Sequence, residues 1–159
     1  MDELTIIEQG MKLEREGLDF YLNAAEAAEE SDTAQLFRDL AADEVDHYNY
    51  LGRQYDAIAA DETWVPIPDL SAVEAIDLKA PIFPAGVQAR SVLPEHAKDE
   101  DALLFALGAE VKSFELYSAA AKDIDNPEAR QLLQALAGAE QQHFNTIMAR
   151  YEALCTYPG

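Results

Sequence analysis

A chain of 159 residues, 49% of them apolar, is long enough for one domain with a buried core and too apolar to be disordered. Its 31 acidic residues against 11 basic ones leave a formal charge of −20, which argues against nucleic acid and anionic membrane surfaces as partners and would instead gather cations. The single cysteine, Cys155, excludes an internal disulfide or a CxxC metal site. With no secretory leader in MDELTIIEQG and no apolar run near the roughly 20 residues that span a bilayer, a cytoplasmic home is expected. The acidic excess also has a plain reading as solubility or adaptation to high salt.

Four long helical patterns follow in chain order. The first covers about 3–30, with a core face of Ile7, Met11, Glu14, Leu18, Tyr21 and Ala25. The second covers about 33–59 and carries Leu36, Phe37, Leu40, Ala41, Glu44, His47, Tyr48, Leu51 and Tyr55 on one stripe, with Ser31 and Asp32 as candidate caps. Residues 61–98 then hold most of the prolines, in WVPIP and APIFPAG, and one possible short helix near 71–77. Their Trp64, Val65, Ile67, Ile82 and Phe83 are too apolar for a free linker, and predict a crossover packed along the rest of the chain. The third pattern covers about 100–123, with Asp99 as candidate cap. The fourth covers about 127–154 and opens on Asn126-Pro127-Glu128, a cap residue, a proline at the first helical position and an acid in the first turn.

The second half repeats the first at an offset of 96 residues. The third stripe reads Leu103, Leu107, Glu110, Phe114, Tyr117 and Ala121. The fourth reads Leu132, Leu133, Leu136, Ala137, Glu140, His143, Phe144, Ile147 and Tyr151. Each residue matches its partner in the first half. One domain is predicted over 1–159: two helical hairpins, about 3–60 and 99–156, joined by a crossover about 61–98. This is an all-α fold, an antiparallel four-helix bundle of ferritin-like topology.

Six polar residues interrupt the apolar stripes: Glu14, Glu44, His47, Glu110, Glu140 and His143. Unpaired buried carboxylates are costly, so four of them on core faces call for compensating charge. Bound cations would supply it. Glu-x-x-His places both side chains on one side of a helix. Two such pairs and one further Glu from each remaining helix make a four-carboxylate, two-histidine set suited to two iron or manganese ions. Tyr21 and Tyr117 lie two turns beyond Glu14 and Glu110, placed either as core aromatics or as hydrogen-bond donors to a ligand carboxylate. His96 in LPEHAKDED reads as a surface residue, Cys155 as inert and Trp64 as an anchor for the crossover.

EREGLDFYLNAAE (14–26), LAADEVDHYNYL (40–51), DEDALLFALGAEVKSFELYSAAA (99–121) and LLQALAGAEQQHFNTI (132–147) together resemble the rubrerythrin-like branch of the ferritin-like di-iron carboxylate superfamily. The resemblance covers all four helices. It implies that Glu14 and His47 hold one iron, Glu110 and His143 the other, and that Glu44 and Glu140 bridge them. The chain departs from rubrerythrin in two ways. It has no rubredoxin-like site, and Leu107 and Ser113 flank Glu110 at the spacing where rubrerythrins carry an additional glutamate. The function so implied is a di-iron oxidoreductase that reduces peroxide or dioxygen with electrons from an external donor, acting as a homo-oligomer, most simply a dimer. The alternatives are a ferroxidase or iron-sequestering protein of ferritin type, and a non-catalytic, metal-stabilised interaction module.

Overall fold

The computed structural model describes residues 2–61 and 98–156, and among them the chain is four α-helices with no strand. They are α1 (Glu3–Ala27), α2 (Ser31–Asp61), α3 (Asp99–Asp123) and α4 (Pro127–Thr156). None is long and apolar enough to cross a membrane. The expected packing of the crossover, its short helix, the Trp64 anchor and the exposure of His96 fall outside the described residues.

α1 and α2 form one hairpin, and α3 and α4 the other. The neighbours across the hairpins also run antiparallel. Tyr21, late in α1, reaches Glu110, and Tyr117, late in α3, reaches Glu14. Likewise α4 meets α2 at His143–Asp43 and again at Arg150–Thr33. α2 and α3 are therefore parallel, and the end of one and the start of the other lie at opposite ends of the bundle, about 40 Å apart for helices of this length. A hairpin connection cannot span that distance, so the topology requires the single long connection expected of a ferritin-like bundle.

The helix boundaries differ from the periodic patterns for a local reason. α1 stops at Ala27 rather than continuing to 30, because the amides of Glu29 and Glu30 leave the helical ladder and donate to the Asp99 carboxylate at 2.9 and 3.0 Å. Asp99 thus does not cap its own helix, as the sequence suggests. It is the first residue of α3, buried, and ties the α1–α2 turn to the other hairpin. Ser31 and Asp32 lie inside the first turn of α2 rather than before it. There Asp32 faces Arg150 of α4 at 3.7 Å, while Arg150 Nε donates to Thr33 Oγ1 at 3.0 Å. The α4 start matches the sequence expectation. Asn126 Oδ1 accepts from the amides of Glu128 and Ala129 at 2.9 and 3.1 Å, and Pro127 opens the helix. α1 gains a cap that periodicity did not flag: Asp2 accepts from the Thr5 amide at 2.8 Å.

The apolar stripes meet as two clusters. One gathers Ile7, Leu51, Phe114, Leu133 and Leu136 with their neighbours. The other gathers Phe37, Leu40, Leu103, Leu107, Phe144 and Ile147. Along every helix the residues between the clusters are the glutamates and histidines that interrupt the stripes. Replacing Asp99 by Ala removes two charge-assisted hydrogen bonds and should lower stability by about 2 kcal/mol. Urea unfolding of the metal-free chain reads this directly, and a change below about 0.5 kcal/mol at constant m-value would remove Asp99 from the tertiary turn.

Candidate metal centre

Each helix brings its polar residues to one level because i and i+3 share a face. Glu14 and Glu110 come from α1 and α3, Glu44 with His47 from α2, and Glu140 with His143 from α4. All six are buried, none more than 7% exposed. Their donor atoms fall into two groups, each within a sphere where every atom lies within 4.8 Å of the others. One group is Glu14, Glu44, His47 and Glu140. The other is Glu44, Glu110, Glu140 and His143. Glu44 and Glu140 belong to both, so the two groups share an edge.

Both imidazoles point Nδ1 into this layer. His47 Nδ1 stands 3.2 Å from Glu140 Oε1 and 3.4 Å from Glu14 Oε2. His143 Nδ1 stands 3.4 Å from Glu110 Oε1 and 3.8 Å from Glu44 Oε1. The rings are stacked, with centroids 5.7 Å apart and planes 19° off parallel. Glycine makes room on the α1 side. A Cβ at Gly17 would lie 3.3 Å from the Glu44 carboxyl carbon, and one at Gly10 only 3.2 Å from the Tyr117 hydroxyl.

The two tyrosines are buried and cross between the repeats. Tyr117 donates to Glu14 Oε1 at 2.7 Å, and Tyr21 donates to Glu110 Oε1. Burial raises both phenols well above their ordinary value, and the neighbouring carboxylates push in the same direction, so both remain donors.

Five atoms of the layer are buried without a well-formed hydrogen bond: Glu14 Oε2, His47 Nδ1, Glu110 Oε2, Glu140 Oε1 and His143 Nδ1, although the two imidazole nitrogens face carboxylate oxygens at 3.2–3.4 Å. Buried polar atoms are nearly always satisfied, so five convergent orphans need a ligand of their own. Oxygen and imidazole lone pairs from several directions, at carboxylate-to-imidazole spacings of 3–4 Å, fit divalent metal ions of the iron and manganese type. Without metal, burial and neighbouring charges shift the ionisation of the layer. Burial, then the charges of Glu110 and Glu14, raise Glu140 well above the carboxylate range. Burial also opposes ionisation of Glu110, but bonding to Glu140, His143 and Tyr21 outweighs it and holds Glu110 low. For His143, burial is overcome by Asp43 and Glu110, which push it up to about 10.

Asp43 has no part in the apolar stripe, and its role is not visible from periodicity. It is half-exposed, and its Oδ2 lies 2.9 Å from His143 Nε2, on the ring edge opposite the layer. That contact holds the Asp43 carboxyl below its usual value and fixes which nitrogen of His143 faces inward. Its repeat counterpart is Ala139, so the two halves differ at this point. The only sequence signal is the acid directly before Glu44, and it becomes informative once α4 is known to lie alongside. Ser113, three residues after Glu110, is buried at the wall of a cavity that reaches Glu44, Glu110 and Glu140. Leu107 is fully buried in the apolar cluster.

A histidine raised from about 6.5 to about 10 stabilises the folded chain fully below pH 6.5 and loses that contribution as pH climbs to about 10. Raised Glu140 acts in the same direction. The melting temperature of the metal-free protein should therefore fall between pH 6.5 and 10. The Asp43→Asn variant should show a shallower fall, and parallel slopes would show that Asp43 does not hold the His143 proton.

No protein-family model matches the chain, and no curated protein matches it. Among solved structures it is similar to an uncharacterized conserved protein from Magnetospirillum magnetotacticum MS-1, with 21% identity over 96% of this chain and 95% of that one, and a TM-score of 0.69. At that identity the likeness is one of fold alone.

Proposed function

We propose that this chain is a rubrerythrin-like member of the ferritin-like superfamily that binds two iron ions, with manganese as the alternative, and reduces peroxide or dioxygen. The observation that carries the reading is the pair of donor groups sharing Glu44 and Glu140, with five orphaned buried atoms. Glu14 and His47 would hold one ion and Glu110 and His143 the other, while Glu44 and Glu140 serve both. Bound there, a metal pair would supply the electrons that cleave an O–O bond.

The chain's own residues do the rest. Tyr117 and Tyr21 orient Glu14 and Glu110, and Asp43 orients His143. The apolar clusters close the layer off along the bundle in both directions. His143, pushed up to about 10 without metal, carries a proton that it would release as metal enters, and the raised Glu140 acts in the same direction. No second redox site is found among the described residues, so an external donor completes the cycle.

Anaerobic ferrous titration should saturate at about two ions per chain. It should also raise the melting temperature and release protons, so that affinity increases with pH. A variant with both Glu110 and His143 changed to Ala should retain one ion, and Glu44→Ala should weaken both. Absence of saturable uptake would falsify the assignment and favour a non-catalytic interaction module.

The charge of −20 supports a second reading, in which the same centre oxidises Fe²⁺ guided inward by surface carboxylates for sequestration. Single-turnover reoxidation separates the two. Peroxide should outpace dioxygen for the reductase, whereas dioxygen and a large hollow particle on a sizing column belong to storage.

A further inference from the structure

Between α1 and α3, at the level of the polar layer, lies a cavity of about 460 Å³. Leu13, Phe20, Phe105 and Ala109 form its apolar walls, and Glu110 and Glu140 lie at its inner end. On the opposite side of the layer, between α2 and α4, the His47 and His143 rings stack and Asp43 meets His143. The cavity meets the layer from the α1–α3 side. A molecule the size of water needs roughly 30 Å³, and peroxide or dioxygen little more. The cavity is more than ten times that and falls in the range of roughly 300–1,000 Å³ that holds organic ligands.

Its size comes from specific residues. Gly17, Gly108 and Ala109 leave space where larger side chains would close the seam between α1 and α3. Phe20 and Phe105 pack with centroids 4.7 Å apart, and Phe20 also meets Tyr21 and Phe37 edge-on, which gives the wall a rigid aromatic face. At the inner end Glu110 Oε2 has no hydrogen-bond partner, while Glu140 Oε1 faces His47 Nδ1 at 3.2 Å. Glu16, Glu44, Glu110 and Glu140 outnumber the one lining cation, Lys112, so the net charge of the lining disfavours an anion, and the apolar wall disfavours a fully polar guest.

We propose that this cavity binds a neutral, ring-bearing organic molecule, its apolar body against Phe20 and Phe105 and a hydroxyl or N–H turned toward the glutamates. The inference names an organic co-substrate for the proposed function and rests on that reading for the chemistry the molecule undergoes, though not for its binding.

The test is ligand-observed NMR of the full chain, metal-free and ferrous-loaded under anaerobic conditions, with p-cresol, indole and benzoate as probes. p-Cresol and indole should bind and benzoate should not. Ala109→Phe, which fills the cavity without removing a carboxylate, should weaken p-cresol at least about tenfold while ferrous uptake stays at about two ions per chain. Leu13→Ala, which enlarges it, should shift preference toward 2-naphthol, and decides the matter should Ala109→Phe not fold. The proposal is overturned if neither neutral probe binds, if benzoate binds as well as p-cresol, or if both variants keep the wild-type preference. Probe binding without metal uptake would remove the metal reading and leave the cavity. Metal uptake without probe binding would do the reverse.

Discussion

Four carboxylates and two imidazoles held inside an apolar bundle are the constraint around which the rest of this molecule is arranged. Taking several like charges out of water costs several kcal/mol each unless they find partners. The chain meets that cost in layers. Two buried phenols donate to Glu14 and Glu110, two imidazoles lie among all four glutamates, and the ionisation of Glu140 and His143 is shifted upward. Five atoms are still left without a well-formed hydrogen bond. The remaining atoms fall into two groups that share Glu44 and Glu140, each of which could hold an ion that brings its own positive charge.

The bundle architecture serves the same end. Apolar clusters on both sides of the layer supply the packing that the layer cannot, and they hold the four helices at the separation its donors need. The internal repeat places equivalent ligands on either side of a pseudo-two-fold axis, which is why Tyr21 and Tyr117 make reciprocal contacts across it. The axis is only approximate, however. Asp43 supports His143 but Ala139 stands at the equivalent place, so two ions in this site would experience different surroundings. The cavity between α1 and α3 adds a second departure from the symmetry, because it meets the layer from one side.

Most of the architecture was legible in the chain because it rests on periodicity. Stripes such as Leu40–Glu44–His47–Leu51 repeat at helical spacing, recur 96 residues later, and are buried as that spacing requires. Asn126 and Pro127 marked a helix start by chemistry local to the chain. Asp99 misled for the complementary reason. Its residue type suits a cap, but its carboxylate is taken by amides 69 and 70 residues away, a contact that no local rule contains.

The sequence by itself determined the helices, the two-hairpin repeat and the six polar residues that face the core, because each depends on residue spacing along one helix. Only the tertiary structure decided which donors share a group, which nitrogen of each histidine faces inward, that Asp43 rather than a stripe residue supports His143, and that a cavity meets the layer between α1 and α3. Those depend on the register and separation of neighbouring helices, which long-range packing sets and residue order does not record.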